Sequence, residues 1–207
     1  MLRLVCISDT HGLHRQLVLP DGDVLIHAGD LTRHGELAEL RDLNDWLGRQ
    51  PHAHKIVIAG NHDRICEEVS DMVPTILNQA TYLCDESLQI GAYSFFGAPW
   101  TPGGGSWAFS RSLNALSYHW AQIPDTTDVL ITHGAPLGWR DQNVRGEHLG
   151  DPTLTTAVKS VRPRLHIFGH IHESYGQMEA IGTTFLNASS CTAAYAPINR
   201  PIVIDLR

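Results

Sequence analysis

Two carboxylates, one carboxamide and at least four imidazoles stand just past the ends of short apolar runs in this chain. Residues 2–8 lead into Asp9-Thr10-His11, residues 24–29 into Asp30, and residues 55–59 into Gly60-Asn61-His62-Asp63. Residues 129–132 lead into His133-Gly134, and residues 165–168 into Gly169-His170-Ile171-His172. Polar and charged groups beside a buried core are costly without partners, and a pair of metal ions is the most economical partner for this set. Asp9 and His11, like His170 and His172, are donors spaced two residues apart, so each member of a pair can reach a different ion. Asn61 offers a neutral carbonyl oxygen to a hard or borderline cation. Asp30 follows Gly29 alone, and its two oxygens suit it to bridge two ions. Gly60 lets the backbone turn sharply, so that the side chains after it face a crevice. Each piece alone is commonplace; all five, each at the end of an apolar run, specify a metal site.

The runs that position these residues are rich in Val, Ile and Leu and are mostly bounded by Gly or polar residues, which predicts buried strands. Lying parallel in one sheet, they would align their carboxyl ends along one edge, where open α/β sheets bind ligands. Residues 36–49 carry Leu37, Leu40, Leu43, Trp46 and Leu47 at helical spacing, an amphipathic helix between the second and third strands. Residues 92–96 read as a strand, and 99–107 as a Pro/Gly-rich loop with Trp100 and Trp107. Residues 110–121 and 153–161 read as helices closed by Pro124 and Pro163, with a long polar loop over 134–151 between them. Residues 183–186 and 202–206 read as closing strands. Alternating strands and helices early, with strand-rich segments later, predict an α/β fold of two sheets with helices outside. The 207 residues suit one domain, 1–207.

Composition narrows the function classes. Charged residues make up 18% of the chain, below the usual quarter, which leaves more of it for burial. A net charge of −7 gives no basic footprint for nucleic acid. Cys6, Cys66, Cys84 and Cys191 form no C-x-x-C pair and are expected to be reduced, as in a cytoplasmic protein. The apolar stretch before Asp9 is too short for a signal-peptide core, and no stretch approaches the ~20 apolar residues of a membrane span. No H-E-x-x-H helix points to a zinc hydrolase of another type.

The order D-x-H, GD, GNHD, Thr132-His133-Gly134 and GHxH resembles the calcineurin-like metallophosphoesterase superfamily. The stretches ISDTHG, GDVLIHAGDLT, GAPWTP, DVLITHGAPLG, FGHIHE and NASS resemble its small single-domain branch, across nearly the whole chain. The resemblance implies two mixed β-sheets packed face to face and flanked by helices, an α/β/β/α sandwich with a dimetal site at one edge. It also implies that Asp9, His11 and His172 hold one ion, that Asn61, His133 and His170 hold the other, and that Asp30 bridges. The branch implies a phosphodiesterase acting on cyclic nucleotides or similar diesters, with manganese effective and iron or zinc also compatible with the donors. The same core serves phosphomonoesterases and pyrophosphate-cleaving enzymes. A fold retained only to bind nucleotides or proteins would favour lost ligands, and none is lost here.

The implied chemistry suits an anionic ester. Two divalent ions, two carboxylates and one hydroxide leave a local charge of about +1 in an acidic protein. Dimetal sites generate a hydroxide nucleophile at neutral pH and stabilise charge on phosphoryl oxygens. The departing alkoxide needs a proton, and His62, beside Asn61 but assigned to no ion, is the candidate general acid. Asp63 is expected either to orient His62 or to cap the following helix. Asn61 and His62 are expected to touch substrate. Arg33 is a candidate phosphate or ribose contact, and Trp100 and Trp107 are candidate stacking faces or loop anchors. His27 is expected in the core, His52 and His54 in solvent, and His14, His34 and His148 as possible rim residues.

Overall fold

The computed structural model describes the whole chain, Met1–Arg207. Its strands, in order, are β1 (Leu2–Ile7), β2 (Val24–Ala28), β3 (His54–Ile58), β4 (Thr81–Tyr82), β5 (Glu86–Ile90), β6 (Tyr93–Ala98), β7 (Thr101–Pro102), β8 (Ser110–Arg111), β9 (Val129–Thr132), β10 (Leu165–Phe168), β11 (Gly176–Ala180), β12 (Thr183–Asn187) and β13 (Ile202–Leu206). The helices are α1 (Leu37–Leu47), α2 (Arg64–Glu68), α3 (Val73–Ile76), α4 (Leu113–Trp120) and α5 (Pro152–Val161).

The strands form two large mixed sheets, as expected, and the five apolar runs are divided between them. The first has the order β13-β1-β2-β3-β4 and the second β11-β12-β10-β9-β6-β5. Within the first, β1, β2, β3 and β4 are parallel and β13 is antiparallel at the edge. Within the second, β6, β9, β10 and β12 are parallel, with antiparallel edges β5 and β11. β7 and β8 make a small parallel pair of their own.

The period-two alternation of each strand explains the layers. Leu4, Cys6, Val24, Ile26, Ile56 and Ile58 point inward from the first sheet and meet Phe95, Val129, Ile131, Leu165 and Ile167 of the second. Their neighbours Val5, Ile7, Leu25 and Val57 point outward and share the outer core with Leu40, Leu43, Trp46 and Leu47 of α1. Outward residues Phe96, Leu130 and Phe168 belong to the same cluster as Leu116 and Trp120 of α4 and Leu154 and Val158 of α5. Both faces of each sheet are therefore covered, so every residue of β2, β9 and β10 is buried.

The helices start where local chemistry lets them. Asp151 caps α5 by accepting from Thr153 N–H at 2.7 Å, and Pro152 takes the first helical position, where no amide is needed. Ser112 caps α4, which begins three residues later than expected from sequence, because Ser110 and Arg111 pair with β7. No helix is long and apolar enough to cross a membrane.

The site sits where the two sheets meet at their carboxyl ends. Ser8, just past β1, bridges to Ser189, just past β12, and joins the two edges. The loops after β1, β2, β3, β9 and β10 all open into this junction.

Candidate metal centre

Four residues at the junction have left-handed backbones: Asp9 (φ 51°), His11 (φ 45°), Asp30 (φ 52°) and His170 (φ 67°). Asp and His tolerate this region better than most side chains, and such strain persists only where the surroundings enforce it. Here the enforcement is visible. Asp9 N–H donates to the Gly29 carbonyl at 2.9 Å, His11 N–H to the Asp30 carbonyl at 3.0 Å, and His170 N–H to Asp9 Oδ1 at 3.0 Å. Two glycines permit the close approach. A Cβ at Gly60 would collide with the Asp30 amide nitrogen and Oδ1, and one at Gly169 with Asp9 Oδ2 and Ser8 Oγ.

The turns bring the side chains into three overlapping groups: Asp9, His11 and His172; His11, Asp30 and His62; and Asp30, His133 and His170. Within each group the candidate ligand atoms lie within 4.8 Å of one another. Asp30 belongs to two groups through different oxygens. Its Oδ2 is 3.8 Å from His11 Nε2, and its Oδ1 is 3.3 Å from His133 Nε2. Asn61 Oδ1 is 3.0 Å from His133 Nε2, and Asp9 Oδ1 is 3.3 Å from His172 Nε2.

The donor chemistry fits cations. His133 Nδ1 faces the Ala28 carbonyl at 2.9 Å, and His172 Nδ1 faces the Thr192 carbonyl at 3.0 Å. A carbonyl only accepts, so each Nδ1 carries a ring proton, and each Nε2, once it gives up its own, turns a lone pair toward carboxylate and carboxamide oxygens. Lone pairs converging in this way are stable only around positive charge, whether metal or proton. The protonation tendencies agree. Burial disfavours charge on His133 and His172, but Asp30 beside the first and Asp9 beside the second outweigh it and push both up to about 9. Burial also works against both carboxylates, yet the imidazoles around them hold Asp9 and Asp30 well below the usual range. His11 and His170 are pushed down to about 4, chiefly by burial, and stay neutral, as ligands must.

His62 stands beside this cluster, half-buried, with its ring centroid 4.6 Å from that of His11. Its Nδ1 faces the Arg33 carbonyl at 3.1 Å, which leaves Nε2 free. Its main-chain N–H donates to Asp30 Oδ1 at 2.9 Å, so the residue is tied to the shared carboxylate.

Asp63 does neither of the things expected of it. It makes no bond to His62, and its side chain does not cap α2. Fully buried, it accepts from Gly60 N–H (2.7 Å), Leu31 N–H (3.0 Å), Thr32 N–H (2.9 Å) and Thr32 Oγ1 (2.7 Å). Asp63 thus bolts the loop after β2 to the end of β3, which sets Asp30 against Asn61. Burial first, and then the nearby Asp30 charge, push its carboxyl up to about 6 against the pull of those donors.

Of the two roles expected of it, Trp100 takes loop anchor and not stacking face. It is buried, donates from Nε1 to Asp85 at 2.8 Å, and stacks on His119 with centroids 3.8 Å apart. Trp107 is the tryptophan at the site, 54% exposed and 4.8 Å from the His62 ring. Arg33 lines the same small cavity as Asn61, His62 and Trp107. His27 lies in the core as expected, but His52 and His14 are buried too, on the Pro20 carbonyl and on Asp42.

The model of the calcineurin-like phosphoesterase family matches residues 2–174, which include every candidate ligand. The chain belongs to that family. Metallophosphoesterase domain-containing protein 1 of Homo sapiens is 41% identical over 99% of this chain and 71% of its own length. A UPF0046 protein of Caenorhabditis elegans is 39% identical over 98% of this chain and 74% of its own. The crystal structure of TT1561 of Thermus thermophilus shares the fold, with a TM-score of 0.61 at 12% identity over 90% of this chain and 88% of that one. A calcineurin-like phosphoesterase is a metal-dependent phosphoester hydrolase, and the clustered Asp, His and Asn side chains are its candidate ligands here.

Two parts of this phosphoesterase site have no signature in the sequence. Tyr195 places its ring 4.7 Å from that of His11, yet it lies in an irregular segment with no motif. Glu39, in the first turn of α1, accepts from Arg33 N–H (2.9 Å), His34 N–H (3.0 Å) and Glu36 N–H (3.1 Å). It thereby holds the Arg33 carbonyl that orients His62. The pairing of Glu36 with Glu39 at capping spacing signals the helix start, but not this second duty.

Proposed function

We propose that the protein is a dimetal phosphodiesterase acting on cyclic nucleotides or similar small diesters. The observation that carries the reading is the shared carboxylate, Asp30, with one oxygen toward each of two donor sets. Asp9, His11 and His172 would hold one ion, Asn61, His133 and His170 the other, and Asp30 both. Two divalent ions held there would supply a hydroxide nucleophile at neutral pH and offset charge on the phosphoryl oxygens. Mixed oxygen and imidazole donors suit manganese, iron or zinc, and manganese is the metal we assign for assay.

The chain's own residues supply the rest. Nδ1–H of His62, held on the Arg33 carbonyl, keeps the ring in one orientation, so that a proton on Nε2 can pass to the departing ester oxygen. Asn61 lines the same cavity as His62, which supports a shared contact of the two with the substrate phosphate. An intact acid matters most for an alkoxide leaving group, which supports natural diesters over activated esters. Four free thiols, three of them buried, support a reducing, cytoplasmic setting.

One observation favours a second role for His62: a ring nitrogen lies within 4.8 Å of ligand atoms of His11 and Asp30, so it could join the first ion. Metal content separates the two, because a ligand's loss lowers occupancy and an acid's loss does not. The test of the proposal is a hydrolysis panel on chelated protein reloaded with manganese. It compares bis-p-nitrophenyl phosphate, p-nitrophenyl phosphate, and the 2′,3′- and 3′,5′-cyclic nucleotides. Manganese-dependent turnover that favours diesters is expected. Turnover confined to the monoester would replace the diesterase reading with a phosphatase.

A further inference from the structure

The motif Asn187-Ala188-Ser189-Ser190 begins at the last residue of β12 and lies outside residues 2–174, which the family model matches. It holds no candidate ligand, yet Asn187 and Ser189 are fully buried. Buried polar side chains need partners, and here the partners are the candidate ligands and the turns that carry them.

Asn187 Nδ2 donates to the Ile171 carbonyl at 2.8 Å. A carbonyl only accepts, which fixes the orientation of the amide and turns Oδ1 toward Ser189 N–H at 3.2 Å. Ile171 stands between His170 and His172, so this bond pins the turn that carries one ligand for each ion. Ser189 Oγ reaches Asp9 Oδ2 at 2.9 Å and Asn187 Oδ1 at 2.8 Å. The hydroxyl has a single proton, and the charged acceptor, Asp9, holds it more strongly. Asn187 Oδ1 keeps its bond to Ser189 N–H. Asp9 Oδ2 is thereby occupied, and Gly169 passes so close to it that a Cβ there would collide. His170 N–H is shared by both Asp9 oxygens, at 3.0 and 3.1 Å, and does not distinguish them. Ser189 does. Oδ1, 3.3 Å from His172 Nε2, is the oxygen left to face a cation. The segment is anchored from behind, with Ser190 N–H on the Ser8 carbonyl at 2.8 Å and Asn199 Nδ2 on the Ser189 carbonyl at 2.9 Å.

We propose that Asn187 and Ser189 are positioning residues of the metal centre. Ser189 commits Asp9 to its ion through Oδ1 alone, and Asn187 sets the His170–His172 turn that serves both ions. The inference rests on the dimetal reading for the assignment of ions. Residues that hold ligands in place usually change metal affinity by roughly 10–100-fold. The two side chains therefore leave different marks: the Ser189 hydroxyl acts on one ion and the Asn187 amide on both.

The experiment titrates chelated protein with manganese by calorimetry and, in metal-free protein, follows exchange of the His170 amide by NMR. Ser189→Ala should weaken one ion by about tenfold or more and leave the other within about threefold. It should also speed exchange of the His170 amide, which donates to Asp9, by about tenfold. Asn187→Ala should weaken both ions by similar factors while circular dichroism stays that of a folded chain. Ser190→Ala, which deletes a neighbouring hydroxyl outside these bonds, should change neither readout. A merely structural role would lower the Tm of Ser189→Ala without separating the two ions. Unchanged affinities in Ser189→Ala, or equal losses at both ions, would overturn the proposal even where Asn187→Ala fails to fold. Fewer than two manganese ions in the natural protein would overturn the dimetal reading instead. The His170 amide then decides the positioning role without metal, and unchanged exchange in Ser189→Ala would overturn it.

Discussion

His62 and the imidazoles around it carry two testable consequences. If His62 delivers a proton to the leaving group, His62→Ala should slow turnover of a cyclic nucleotide by about 100-fold or more. The same change should slow bis-p-nitrophenyl phosphate only several-fold, because p-nitrophenolate leaves without help. Equal losses on both substrates, measured as kcat, would remove the acid role. The second consequence concerns His133 and His172. With both pushed up to about 9 in the metal-free chain, they hold protons at neutral pH that a cation must displace. Manganese affinity should therefore rise from pH 7 to pH 9, and binding at pH 7 should release up to about two protons per chain. Calorimetry in buffers of different ionisation enthalpy reads that number. The members of the candidate cluster are legible in the sequence because each stands within a few residues of the end of an apolar run. The role of Asp63 is not, nor is the choice of which tryptophan anchors the loop, since both depend on partners far along the chain. Asp63 looks local to His62, but its donors come from Leu31 and Thr32 after β2. Trp100 and Trp107 share one loop, and only the distant Asp85 decides which is buried.

At the scale of elements, the site depends on loops bent tightly against one another. Gly169 separates β10 from His170 with no room for a side chain beside Asp9. Gly169→Ala should push Asp9 away from His172 and weaken manganese binding by roughly 10–100-fold, the usual effect of disturbing residues that orient ligands. Circular dichroism should remain that of a folded protein, because the clash is at a strand end and not within the core. Unchanged metal affinity would show that the glycine is not needed for ligand placement. Long apolar strands and the amphipathic α1 are legible from periodicity. The partition into two sheets is less so: β1, β2, β3, β9 and β10 have the same character, and nothing local says that the last two pair with β6 and β12. Short pieces such as β4, β7, β8, α2 and α3 lack a periodic signal and are set by tertiary packing.

At the scale of the whole molecule, buried histidines tie stability to pH. His27 and His166 are fully buried behind the site, each with Nε2 on a threonine hydroxyl, Thr10 and Thr132, at 2.8 Å. Burial pushes both down to about 3, well below the ordinary value near 6.5. A depressed histidine is neutral when folded and protonated when unfolded in acid. Its contribution is present above pH ~6.5 and is lost as pH falls toward 3. The metal-free protein should therefore lose up to ~1.4 kcal/mol per pH unit for each of the two over that window, seen as a falling Tm. The double variant His27→Gln, His166→Gln should flatten the slope; the same slope in that variant would assign acid sensitivity elsewhere.

The shared carboxylate is tested most directly by titrating chelated protein with manganese while following bound metal and bis-p-nitrophenyl phosphate hydrolysis together. Two ions per chain are expected, with diester turnover rising as the second binds, and Asp30→Ala should lose both metal and turnover. Two ions bound with no diester turnover, or full occupancy retained in Asp30→Ala, would contradict a bridged dimetal diesterase.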